Sequence, residues 1–237
     1  MKRAWWGRRR ALRLLGGAGA SLMAGYVGAQ RGAAESAKVP GCVLTPEQTE
    51  GPYFVDERLE RSDVRTDPAD NSVRPGALLT LDLRVLAVGA ARCDPVAGAM
   101  VDIWHCDAAG IYSDADDTTF RTRGAKFLRG YQVTDADGRV RFTTIYPGAY
   151  PGRAVHVHFK VRLWTPVRGG EFTSQLYFDD ALTDRVHAAS PYARPRASRT
   201  LNERDGLYRR GGRELQLTVT GADGRYAAVY DVGVRVG

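Results

Sequence analysis

Short apolar–polar alternations closed by Asp-Gly turns, with no sustained helical stripe, constrain the fold of this chain more than any other feature. Across residues 78–88, Leu79, Leu81, Leu83 and Val85 share one side, the period-two pattern of a half-buried strand. Further extended runs cover 99–104, 130–134, 140–145, 155–163, 174–178, 214–220 and 226–234. Asp135-Ala136-Asp137-Gly138 and Gly221-Ala222-Asp223-Gly224 separate neighbouring runs, and an Asp-Gly step supplies the positive φ that a hairpin needs. One short helical turn is expected over 181–188. The fold class that follows is all-β, an antiparallel β-sandwich or barrel core over residues 78–237. Residues 30–77, broken by Pro46, Pro52, Pro68 and Pro75, read as loops that wrap this core.

Residues 1–29 read as a separate element. Lys2, Arg3, Arg8, Arg9, Arg10 and Arg13 precede a Gly/Ala-rich apolar stretch that ends in Val27-Gly28-Ala29. That order is expected of an export signal with a small-residue cleavage site. The paired arginines before Ala11-Leu12 resemble a twin-arginine signal, so a periplasmic or extracellular location is expected. Whether the signal is cleaved is open, and no other membrane association is expected. Taking those six cations from the net +7 of the chain leaves +1. No nucleic-acid partner is therefore expected, because the basic footprint belongs to the signal. Cys42, Cys93 and Cys106 lack zinc-site spacing. One disulfide and one buried thiol are expected of an exported protein, with the pairing open.

The chemistry concentrates in Tyr146-Pro147-Gly148-Ala149-Tyr150-Pro151-Gly152-Arg153-Ala154-Val155-His156-Val157-His158. Side chains two apart on a strand share a face, so His156 and His158 sit ~7 Å apart at the backbone. Two imidazoles so placed can hold one metal ion. The chain has only four histidines, and His105 and His187 read as structural. No carboxylate or thiolate stands at an obvious ligand position nearby. Tyr112 follows Ala108-Ala109-Gly110, and Tyr150 sits in the Pro/Gly-rich loop before the histidines. Arg153, three residues before His156, would face away in regular strand geometry unless the Gly152-Arg153 kink re-aims it. Asp114, Asp116 and Asp117 lack the loop pattern of a calcium site and read as a solvated loop.

Val101-Asp102-Ile103-Trp104, Gly110-Ile111-Tyr112, Pro147-Gly148-Ala149-Tyr150-Pro151, Arg153 and His156-Val157-His158 recur in the order found in the intradiol ring-cleavage dioxygenases. Thr49-Glu50-Gly51-Pro52-Tyr53-Phe54 and Thr173-Ser174-Gln175-Leu176-Tyr177-Phe178 fit the same pattern. Over residues 42–190 the chain resembles that family, and most of all its exported, protocatechuate-dioxygenase-like branch. The resemblance implies a non-haem Fe(III) held by Tyr112, Tyr150, His156 and His158, with a small aromatic diol and O2 as reactants. It further implies that Tyr150 leaves the iron as substrate binds and takes its proton. Arg153 then stabilises the anionic ring, Gln175 lies near the oxygen pocket, and Thr49, Gly51, Pro52 and Tyr53 line the substrate pocket. A phenol kept ionised at pH 7 costs about 4 kcal/mol, which a trivalent cation offsets. Gly152 departs from the pattern, since relatives often carry an aromatic residue there, so a more open pocket is expected.

Two rival readings compete: a non-catalytic, exported β-sandwich module that binds a ligand, and a copper or Fe(II) oxygenase built on the histidine pair. An Fe(II) site would want a carboxylate beside the histidines. The sequence leaves oligomeric state and the particular catechol open.

Overall fold

The computed structural model describes residues 43–89, 92–163, 170–192 and 199–235. The expected signal over 1–29, Cys42 and the first part of the wrapping segment lie outside the described residues. In chain order the strands are β1 (Leu78–Val88), β2 (Cys93–Pro95), β3 (Met100–Trp104), β4 (Arg129–Val133), β5 (Arg139–Ile145), β6 (His156–Leu163), β7 (Gly170–Tyr177), β8 (Val219–Ala222) and β9 (Arg225–Val234). One helix, α1 (Asp180–His187), follows β7, with the Asp179 carboxylate capping the Leu182 amide at 2.8 Å. Such a cap satisfies one of the unpaired amides at a helix start.

The strands form two sheets around one core, as the alternating patterns require. One sheet runs β2-β1-β9-β8, with β5 also paired to β1; the other runs β4-β3-β6-β7. Leu79, Leu81, Leu83 and Val85 of β1 meet Val101 and Ile103 of β3 and Val157, Phe159 and Val161 of β6 in a single buried cluster. The expected run over 226–234 pairs with β1 in parallel along ten positions, from Leu78↔Arg225 to Ala87↔Val234. That pairing departs from a purely antiparallel sandwich. It joins strands far apart in sequence, about which turn residues say nothing.

Turn chemistry was a sound guide in one place and a misleading one in another. Asp223 and Gly224 have φ of 51° and 75° and close an antiparallel hairpin between β8 and β9, as the Asp-Gly step predicts. Asp135–Gly138 also turns, with the Gly138 amide donating to the Asp135 carbonyl at 3.0 Å. It makes no hairpin, however, because β4 pairs with β3 and β5 with β1. A tight turn there carries the chain from one sheet to the other. The run expected over 214–220 is strand only from Val219; before it, Leu215 and Leu217 bond Tyr177 across a bridge at the margin of β7.

The wrapping segment closes the second sheet. The Gln48 amide donates to the Thr173 carbonyl on β7, and Leu59 and Arg61 bond Tyr131 on β4. Both outer strands of that sheet are thus partnered, which removes exposed edges. Phe54 packs on Trp104 with ring centroids 4.8 Å apart, beneath the Lys160 ammonium 4.0 Å away. The sheet face turned away from the core is therefore covered too, and His156, His158 and Lys160 on that face are all buried.

Candidate metal and substrate site

Backbone close approach brings the two tyrosine loops together. After β3 the chain turns at Asp107, whose carboxylate accepts the Ala109 and Ile111 amides at 2.8 and 3.0 Å. Gly110 follows at φ 83°, and a Cβ there would lie 2.3 Å from the Ala149 carbonyl oxygen. A Cβ on Gly148 would lie 2.4 Å from the Asp107 carbonyl oxygen. Only glycine at both positions allows these loops to touch. Tyr112 and Tyr150 consequently stand edge to face, with centroids 5.6 Å apart.

The histidines come from β6 on the same side. His158 stacks on Trp104, its register partner on β3, at 4.9 Å and 7°. The His156 ring donates from Nδ1 to the Ala154 carbonyl at 2.6 Å, which fixes its tautomer and leaves the Nε2 lone pair facing inward. That Nε2 lies 3.0 Å from His158 Nε2 and 3.3 Å from the Tyr150 hydroxyl. Tyr112 is 1% exposed, and its hydroxyl makes no well-formed hydrogen bond.

Burial sets the charge state of every member. It drives the His156 pKa down to about 3 and that of His158 well below the ordinary histidine value, so both imidazoles are neutral lone-pair donors. It pushes Tyr150 up to about 12 and Tyr112 well above the ordinary phenol value. The two Nε2 atoms can share only one proton between them, and His158 Nδ1 and the Tyr112 hydroxyl are buried without a partner, which is costly in a protein interior. A cation among them would answer these deficits and lower both phenol pKa values. Among the described residues, no group of three or more His, Cys, Asp or Glu side chains is arranged to hold a metal.

Arg153 is re-aimed, as the Gly152 kink at φ 82° permits. Its guanidinium donates from Nε to Asp205 at 3.0 Å and from Nη2 to Gln175 Oε1. Gln175 Nε2 donates to the Thr49 carbonyl at 2.8 Å, and the Tyr177 hydroxyl donates to Gln48 at 2.8 Å. Gly51 leaves a gap against His158, where a Cβ would stand 3.4 Å from the ring. Tyr53 stacks on Tyr112 at 4.3 Å, whereas Pro52 is exposed. His105 bonds Cys106 O and Thr144, and His187 bonds the Pro147 carbonyl, so both histidines brace the fold. Cys93 is disulfide-bonded, and the buried Cys106 donates its S–H to the Gly148 carbonyl at 3.4 Å.

Sequence reasoning missed Asp205, which is 1% exposed and also accepts the Ala154 amide at 2.9 Å. It missed Tyr177 as well, although the spacing of two from Gln175 on one strand was a usable signal. The three acidic residues of the 114–117 loop do not converge. Asp114 accepts the Gly124 amide, Asp116 pairs with Arg123, and Asp117 accepts the Tyr53 hydroxyl at 2.7 Å. Asp117 also lines a cavity of about 410 Å³ that reaches Tyr112 and Tyr150.

Fold and site together define a β-sandwich protein with a buried donor set of two phenols and two imidazoles beside a small-molecule cavity. Residues 49–206 match a family model described as dioxygenase. The chain belongs to the intradiol ring-cleavage dioxygenase family. It is 34% identical over 124 residues to the protocatechuate 3,4-dioxygenase beta chain of Burkholderia cepacia, covering 49% of this chain and 51% of that one. It is 29% identical to a chlorocatechol 1,2-dioxygenase of Pseudomonas putida, covering 60% and 58%. It thus spans about half the length of the curated relatives it matches. An intradiol ring-cleavage dioxygenase from Tetranychus urticae superposes with a TM-score of 0.70 at 29% identity, covering 82% of this chain and 95% of that one.

Proposed function

We propose that this protein opens catechol-type rings with O2 between the two hydroxyl-bearing carbons, giving muconate-type diacids. The observation that carries this reading is the meeting of His156 Nε2 with His158 Nε2 at 3.0 Å and with the Tyr150 hydroxyl at 3.3 Å. Tyr112, Tyr150, His156 and His158 would hold a ferric ion, whose contribution when bound is Lewis-acid activation and templating of the diol. Two phenols suit this hard, trivalent cation better than they suit Fe(II) or copper.

The protein side of the reaction follows from burial. Tyr112 is sealed beneath Tyr53, whereas Tyr150 is only half-buried and forms a wall of the cavity. Tyr112 Oη is fully buried, so of the two phenols Tyr150 is the more open to an incoming diol. Tyr150 Oη would be the base for one substrate proton as a phenolate, and burial raises its affinity for that proton once it is free of the cation. Arg153, held by Asp205 and Gln175, presents fixed positive charge to an anionic ring in a site from which water is largely excluded. Preorganised charge of this kind acts at the moment charge develops. Trp104, Tyr53 and Phe54 keep water from the histidines. The chain acts after export, a reading supported by the Arg-rich, Gly/Ala-rich character of residues 1–29.

Protein purified from iron-replete cells tests the proposal. One iron per chain, visible colour and O2 uptake with catechol giving the muconate spectrum are expected. A colourless, iron-free protein that consumes no O2 would leave the ligand-binding module in its place.

A further inference from the structure

The cavity beside Tyr150 carries charge of one sign. Tyr53, Phe120 and Tyr150 supply aromatic walls, while Thr118, Thr119 and Asp117 line the outer part. The Asp117 carboxylate is pinned: Oδ2 accepts the Tyr53 hydroxyl at 2.7 Å, and Oδ1 accepts the Thr119 amide and the Thr118 hydroxyl, each at 3.1 Å. No Lys or Arg lines the cavity among the described residues. Arg121, next to Phe120 in the chain, is exposed and does not line it, and three other guanidiniums of the surrounding segments are committed elsewhere. Arg129 donates to Ser113 and to the Tyr53 carbonyl, Arg153 to Asp205 and Gln175, and Arg123 to Asp116.

We propose that this wall selects uncharged catechols and rejects those bearing a carboxylate on the ring, with Asp117 the discriminating residue. The inference rests on the ring-opening function proposed above and names the substrate class of that site. A catechol whose hydroxyls enter toward Tyr150 Oη projects the opposite edge of its ring into this cavity. A carboxylate on that edge meets a fixed like charge and no cation, whereas a neutral substituent finds the hydroxyls of Thr118 and Thr119. Repulsion of the wrong ligand is as effective a source of specificity as attraction of the right one. At a partly solvated mouth the discrimination also weakens with salt.

3,4-Dihydroxybenzoate and 3,4-dihydroxybenzamide match in size and differ in charge, so they isolate this effect. With the iron-loaded full chain at low salt, kcat/KM favours the amide by about tenfold, chiefly through KM. The preference narrows as ionic strength rises. Asp117→Asn, which still accepts from Tyr53, brings the ratio toward one, and Thr119→Lys at the exposed rim inverts it. Wild-type protein that uses the benzoate as well as the amide, or a ratio unmoved in both variants, overturns the inference. If neither compound is opened and catechol is not opened either, the ring-opening function falls and this inference with it. Turnover of catechol alone, with both benzoyl compounds refused equally, overturns only the charge argument.

Discussion

The two faces of β6 obey different rules. Val157, Phe159 and Val161 face the core and are fully buried among apolar neighbours. His156, His158 and Lys160 alternate with them and are equally inaccessible, yet they are covered by Tyr150, Gly51, Phe54 and Glu50 from outside the strand. The first face needs only volume and apolarity. The second buries polar groups that the protein alone does not fully satisfy, so it costs stability and is retained for chemistry.

Phe159→Ala should break the first face hardest. Loss of a fully buried ring is expected to cost ~3–5 kcal/mol in denaturant unfolding, while any iron still bound keeps its colour. Acid should act chiefly on the second face, with the buried His105 adding to the loss and the raised Asp102 carboxyl partly offsetting it. His156 and His158 both have folded pKa values below their unfolded ones, so the metal-free protein keeps their full contribution above about pH 6.5. Stability then falls by roughly 1.4 kcal/mol per pH unit for each histidine as pH drops toward the folded value. Equilibrium unfolding of metal-free protein from pH 7 to 4.5 measures this, and His158→Gln should flatten the slope.

Tyr112→Phe sharpens the contrast by changing sign. Its hydroxyl is buried and meets only the Tyr150 hydroxyl, without a well-formed hydrogen bond, so its removal should stabilise the metal-free protein, by about 1 kcal/mol, while weakening iron binding. Lys160→Met should have the smallest effect. The ammonium pairs with Glu50 at 2.7 Å and Glu171 at 3.3 Å, both of them substantially exposed, so less than about 1 kcal/mol of stability is expected to go. Because Glu50 lies in the segment over His158, KM for catechol should rise more than kcat falls.

Much of this was legible in the amino-acid order because strands write their faces at period two. The β1 and β6 patterns located the core, and His-x-His announced a polar stripe on a strand. Tyr112 and Tyr150 joined that stripe only through a resemblance, because their meeting depends on two glycine-mediated backbone contacts between loops far apart in sequence. Asp205 was invisible for the same reason: it reaches Arg153 across 52 positions from an irregular segment with no periodicity. The parallel β1–β9 pairing and the sheet-to-sheet turn at 135–138 were hidden because turn residues specify a local bend and not the partner of the next strand.

The account depends on phenolate and imidazole donors sharing one ferric centre, and resonance Raman spectroscopy of the iron-loaded protein examines that directly. Tyrosinate–iron vibrations from two distinct phenolates are predicted, with one set lost in Tyr112→Phe and the other in Tyr150→Phe. Iron-loaded protein that displays no tyrosinate vibrations, or the same vibrations in both variants, would contradict it.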